Sequence, residues 1–118
     1  MNKSLVDILR KRAKEKERYF KNYLFYCKKI KEEAEKILGK VEVFIFGSIL
    51  KNEYTPLSDI DVLIVSDSLP ESNEERIKIK TDIKSKIDSF SPFQIHLANY
   101  KEYKNWYKKF IKNDFIKI

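Results

Sequence analysis

The sequence predicts an α/β fold of the α+β kind: a small mixed β-sheet of three to four strands flanked by helices, with a long helix leading the chain. Three observations carry that expectation. Residues 4–38 contain neither Gly nor Pro and repeat their apolar positions at helical spacing. Three short runs, Val41–Phe46, Asp59–Val65 and Phe93–Leu97, are β-branched and aromatic or alternate in polarity, as strands do. A second helical pattern lies between the last two of these runs. A chain of 118 residues with 42% hydrophobic and 14% aromatic residues supports one packed domain over residues 1–118. Within it, residues 1–38 form the N-terminal helical segment, 41–97 the core, and 99–118 a helix followed by a short strand.

In the first segment the apolar positions are Leu5, Ile8 and Leu9, then Tyr19, Phe20, Tyr23, Leu24, Cys27, Ile30, Ala34, Ile37 and Leu38. Between them Arg10 to Arg18 is charged except for Ala13, so this stretch is either an exposed part of one helix or lies near the meeting point of two. Gly39 is the expected C-terminal stop. The Val41–Phe46 strand runs into Gly47-Ser48, residues 49–58 form a turn or helical start and then a loop around Pro56, and the strand Asp59–Val65 follows. After a polar loop from Ser66 to Asn73, Ile77, Ile79, Ile83 and Ile87 mark an amphipathic helix of about four turns. Ser91-Pro92 ends it. Asn99 with Glu102 is a helix-start pair, and Tyr103, Trp106, Tyr107, Phe110 and Ile111 make one stripe, read as core or interface rather than a base-stacking platform. Phe115–Ile118 completes the chain as an edge strand.

The net charge of +7 is unevenly spread. Residues 1–40 carry 13 Lys and Arg against 6 Asp and Glu, residues 41–98 carry 6 against 10, and residues 99–118 carry 6 against 2. The basic ends suit a solvated face first, and nucleic acid or an acidic protein second. No run approaches a membrane span, and the charged N-terminus lacks the apolar core of a secretory leader, so a cytoplasmic protein is expected. Cys27 is the single cysteine, which rules out an intrachain disulfide and makes it a small core residue.

The chemistry concentrates in Gly47-Ser48, a ten-residue interval, and Asp59-Ile60-Asp61 at the head of an apolar run. At average residue usage such a pattern arises by chance in a chain of this length with a probability on the order of one in a thousand. Carboxylates one residue apart on a strand share a face at about 7 Å, a spacing that suits one or two hard cations. Gly47 lets the backbone approach a phosphate, and the Ser48 hydroxyl and nearby N–H groups can donate to it. The bland alternative makes Ser48 a helix cap and the two Asp edge-strand solubilisers.

Gly47, Ser48, Asp59 and Asp61 with the run to Val65 resemble the minimal nucleotidyltransferases of the DNA polymerase β-like superfamily. The specific part of the match spans about twenty residues, and the order strand, helix, strand from Val41 to Leu97 agrees with that fold. The resemblance implies that Gly47 and Ser48 bind a nucleoside triphosphate, ATP being favoured, and that Asp59 and Asp61 hold Mg²⁺ or Mn²⁺. It also implies transfer of a nucleoside monophosphate to an acceptor with release of pyrophosphate. Lys51 sits where members of the family often carry Arg, and as a cation it would favour the leaving pyrophosphate.

Members of the family carry a third carboxylate on the later strand, and residues 93–97 contain none. There Gln94 and His96 share one face while Phe93, Ile95 and Leu97 share the other. His96, the single histidine, is aligned with the missing acid. Three roles are open to it: a site residue without strong catalytic function, a general base or substrate contact, and a satisfied core histidine. Two functions follow. One is Mg²⁺-dependent nucleotidyl transfer to a macromolecular acceptor, with the acceptor surface supplied by a partner or a homodimer because the chain is too short for an added helical domain. The other is an antitoxin-like nucleotide-binding module that restrains a helical HEPN-type partner. Direct nucleic-acid binding through the basic helix is weaker, since no recognition motif accompanies it.

Overall fold

The computed structural model describes residues 4–51, 53–55, 57–111 and 114–118. The loop position Pro56 lies outside them, as do the side chains of Trp106, Phe110 and Ile111 from the expected stripe. Helix α1 spans Leu5–Lys21 and α2 spans Tyr23–Leu38. Ser4 caps the first, its hydroxyl accepting the Asp7 N–H at 3.2 Å. Asn22 separates the two helices: its side-chain amide and its backbone N–H both donate to the Arg18 carbonyl, at 2.9 and 3.1 Å. The side-chain amide thus shares the Arg18 carbonyl with the helical N–H at the junction. The charged stretch from Arg10 to Arg18 is largely exposed, and Leu5, Val6 and Leu9 are exposed with it. Burial begins at Tyr19 and Phe20 and continues along α2 at Cys27, Ile30, Ala34 and Leu38, one stripe at helical spacing. Burial pushes the Cys27 thiol up to about 12, so it is an inert core group. Gly39 ends α2 with φ 75°, donating its N–H to the Glu35 carbonyl at 2.9 Å.

Strands β1 (Glu42–Phe46), β2 (Ile60–Val65), β3 (Phe93–Ala98) and β4 (Phe115–Lys117) form one sheet in the order β3-β2-β1-β4. β1 is antiparallel to both β2 and β4, and β2 and β3 are parallel. The sheet is therefore mixed, with the expected terminal strand on the far edge. The parallel pair is joined by α3 (Asn73–Ile87), capped by Ser72 through the Glu75 N–H. Its buried side is formed by Ile79, Ile83 and Ile87; Ile77, expected on the same stripe, is 59% exposed because it lies two residues before Ile79, about 200° around the helix and so on its far side.

The two faces of the sheet carry separate apolar clusters. Val43, Ile45, Ile60, Val62, Ile64, Phe93, Ile95 and Leu97 pack with α1, α2 and α3. Phe44, Phe46, Leu63, Val65 and Ala98 form the second, smaller cluster, covered by Tyr100, Tyr103 and Tyr107. Those tyrosines come from the segment after β3: α4 (Tyr100–Glu102), a π-helical turn (Tyr103–Tyr107) and α5 (Lys108–Ile111). Asn99 and Glu102 make the expected capping box. Glu102 also receives Arg76 of α3 at 2.9 and 3.1 Å, while Arg76 Nε donates to the Pro70 carbonyl at 2.7 Å. One half-buried guanidinium thus ties the loop after β2, helix α3 and the cap of α4 together.

Candidate functional site

At the end of β1 the chain turns sharply at Gly47, φ 92°, into a short 3-10 helix, Ser48–Lys51. Because β1 and β2 are antiparallel, with Phe46 opposite Asp61, this turn lies directly beside the Asp61 side chain. A Cβ placed on Gly47 would collide with Asp61 Oδ2, so this glycine is required twice: by its backbone angle and by the carboxylate next to it.

Asp61 stands on the face of the smaller cluster, in line with Leu63 and Val65. It is half-buried, whereas Asp59 is exposed one residue before β2 begins. The Ile60 N–H bonds to the Pro92 carbonyl at 2.8 Å, which anchors the entry of β2 against the start of β3. Two hard-oxygen groups are thereby placed at the open end of the sheet.

His96 completes the contact set. Its Nε2 lies 3.2 Å from Asp61 Oδ1, and its ring sits between Phe46 and Tyr107, with centroids 5.5 and 6.1 Å away. Asp61 is thus bounded on both oxygens, by His96 at Oδ1 and by the Gly47 backbone at Oδ2. Burial pushes the Tyr107 hydroxyl above its ordinary value, so this ring acts as a neutral apolar wall. The structure therefore joins three of the six sequence candidates, Gly47, Asp61 and His96. Among the described residues no hydrogen bond or ion pair links the side chains of Ser48, Lys51 or Asp59 to them; Ser48 is half-buried at the turn, and Lys51 is exposed at the end of the 3-10 helix.

A seventh residue belongs beside these. In the parallel register Gln94 is the partner of Asp61, and His96 is the partner of Leu63. Gln94 is exposed within a strand whose other residues are buried or half-buried. Alternation in the sequence assigns Gln94 and His96 to one face; which of them neighbours Asp61 depends on register, and the Ile60–Pro92 bond sets it.

Asp59 and Asp61 offer carboxylate oxygens, the donors hard divalent cations take, and the missing side chain at Gly47 lets the backbone lie against Asp61. These residues fit such an ion. Among the described residues no group of three or more His, Cys, Asp and Glu is arranged to hold a metal. No described helix is long and apolar enough to cross a membrane.

Comparison with known proteins places this geometry in context. A family model described as a nucleotidyltransferase domain matches residues 27–118. One solved structure, assigned provisionally as a nucleotidyltransferase, shares 35% identity over 77% of this chain and 95% of its own, with a TM-score of 0.61. A second, from Sulfolobus solfataricus and likewise provisionally assigned, shares 26% identity over 90% of this chain and 85% of its own, with a TM-score of 0.53. No curated protein matches the chain by sequence.

Proposed function

The chain belongs to the nucleotidyltransferase domain family, and we propose that it transfers a nucleoside monophosphate, AMP from ATP, to a macromolecular acceptor. The acceptor hydroxyl attacks the α-phosphorus, the bond from that phosphorus to the bridging oxygen of the β-phosphate breaks, and pyrophosphate leaves while the hydroxyl proton passes to a base or to water. Asp59 and Asp61 hold the divalent cation, Mg²⁺ or Mn²⁺. That ion, when bound, neutralises the triphosphate and stabilises charge on the transferring group. Gly47 and Ser48 seat the phosphates, and Lys51 supplies a positive charge toward the pyrophosphate.

The single observation that carries this reading is the contact of the Gly47 turn with the Asp61 carboxylate. It brings the turn assigned here to phosphate against the side chain assigned here to the cation. The exposure of Asp59 and Gln94 favours a large acceptor that approaches an open face, over a small one enclosed in a cavity. Incubation with α-labelled nucleotides, Mg²⁺ or Mn²⁺ and candidate acceptors tests it. Label is expected on an acceptor with ATP, and is lost in Asp59→Asn and Asp61→Asn. Transfer that survives both substitutions refutes the assignment.

A second reading has its own support. The first two turns of α1 leave Leu5, Val6 and Leu9 exposed at 70, 55 and 54%, beside a basic stretch. Such a surface suits a nucleotide-binding, antitoxin-like module that restrains a helical HEPN-type partner, or self-association into a homodimer. Nucleotide binding without label transfer, combined with a stable complex with that partner, would favour it.

A further inference from the structure

We infer that Gln94, rather than His96, stands at the third ligand position of the metal site, and that its neutral amide limits the protein to one tightly held divalent cation. The inference rests on the nucleotidyl-transfer reading and adds to it the charge and stoichiometry of the site.

Three observations place Gln94 there. In register it is the direct partner of Asp61, while His96 is displaced by two residues toward the sheet interior, opposite Leu63. Neighbouring strands lie about 4.8 Å apart, so a side chain at the register position reaches the same point as Asp61 without bending along the strand. Exposure differs in the same direction. Gln94 is exposed opposite Asp61 in the register, and its amide makes no hydrogen bond among the described residues. His96 is already committed: Nε2 faces Asp61 Oδ1 at 3.2 Å, and the ring is enclosed by Phe46 and Tyr107. It acts as a positioning residue for Asp61, and Gln94 is the group that faces the open side.

Charge then sets the stoichiometry. Asp59 and Asp61 supply two negative charges, which balance one divalent ion, and the amide at position 94 adds an oxygen without charge. A second cation close to the first would meet repulsion that a third carboxylate normally offsets. One substitution at one exposed position separates this chain from a three-carboxylate site.

Mn²⁺ binding to the intact protein, followed by titration calorimetry and by the spectrum of free Mn²⁺, tests the inference without relying on turnover. The natural chain is expected to take one tight equivalent. Gln94→Glu is expected to bind Mn²⁺ at least about ten-fold more tightly or to take a second equivalent. Without metal its melting temperature should fall, from repulsion among three carboxylates, and Mn²⁺ should restore it. His96→Glu is expected to show no such gain, having lost the contact with Asp61. Unchanged binding in Gln94→Glu, or an equal gain in His96→Glu, overturns the inference. Asp61→Asn separates this from failure of the underlying reading: Mn²⁺ binding that persists in Asp61→Asn removes the metal site itself, whereas loss there with no gain in Gln94→Glu removes only the role of Gln94.

Discussion

The same strands present two unlike faces. On one, Ile60, Val62 and Ile64 of β2 are fully buried beneath the first three helices, and Phe93, Ile95 and Leu97 continue that surface across β3. On the other, Leu63 and Val65 are buried under tyrosines from the C-terminal helical segment, but the cover stops short of Asp61, Gln94 and Asp59. Strand alternation delivers both faces from one run of residues. Their difference teaches that the site lies where apolar cover ends. One face stabilises the sheet, and the open end of the other holds charge at a fixed place because the covered part beneath it is rigid.

Substitutions that act on one face alone sharpen this contrast. The largest effect is expected from Ile64→Ala: loss of a fully buried side chain should destabilise the fold by about 2–5 kcal/mol, read from urea unfolding. Metal binding by the folded fraction should be unchanged, and a parallel loss of binding would break the separation of the faces. Next come the two glycines. Gly39→Ala and Gly47→Ala each place a side chain at positive φ and should cost about 1–3 kcal/mol. An added Cβ at Gly39 meets nothing, whereas at Gly47 it strikes Asp61, so Mn²⁺ affinity should fall in Gly47→Ala alone. Equal affinities in the two variants would detach Gly47 from the site.

His96→Ala should weaken the apparent Mg²⁺ dependence of transfer by about 10–100-fold, the range seen when a group orienting a metal ligand is removed. An unchanged rate, metal dependence and pH profile would leave His96 with neither a positioning nor a general-base role. The smallest effect concerns Asp88, the C-terminal cap of α3. The Phe90 N–H first, and the Tyr19 hydroxyl second, hold its carboxyl below the ordinary value. A lowered folded-state value means that Asp88 stabilises the fold above the ordinary carboxylate range, near pH 4, and that this contribution disappears as the pH falls through the folded value. Natural protein and Asp88→Asn should therefore differ in melting temperature at pH 7, and the difference should fade as the pH drops below the ordinary carboxylate range and through the folded-state value. A constant difference would mean that the carboxylate charge is not what matters there.

Much of this was legible in residue order. Helical spacing from Tyr19 to Leu38, the stop at Gly39 and the alternation of Phe93–Leu97 each reflect local preferences that tertiary structure left intact. The four strands and the box at Asn99 and Glu102 follow for the same reason. What escaped depends on contacts distant in sequence. The first segment divides at Asn22, whose side-chain bond periodicity does not register. Ile77 has the right residue type but the wrong phase relative to the sheet. In the site, composition and spacing single out Gly47, Asp59 and Asp61, but the nearness of Gln94 to Asp61 rests on the register of a parallel pair 33 residues apart in sequence. Parity reveals a face; it does not reveal a neighbour.

The three residues of β4 have a consequence for behaviour in solution. Val41–Phe46 has the makeup of segments that stack between molecules: high β propensity, one charge and no proline. β4 occupies the outer edge of this strand at Phe44, Ile45 and Phe46, and the Ile118 N–H extends the ladder to the Val43 carbonyl at 2.9 Å. Lys117 pairs with Glu42 at 3.3 Å, and Lys31 reaches the Ile118 carbonyl at 3.0 Å, so the tail is fastened at two points. A segment of a few residues thereby covers the outer edge of β1, and its removal should alter solubility before it alters the fold.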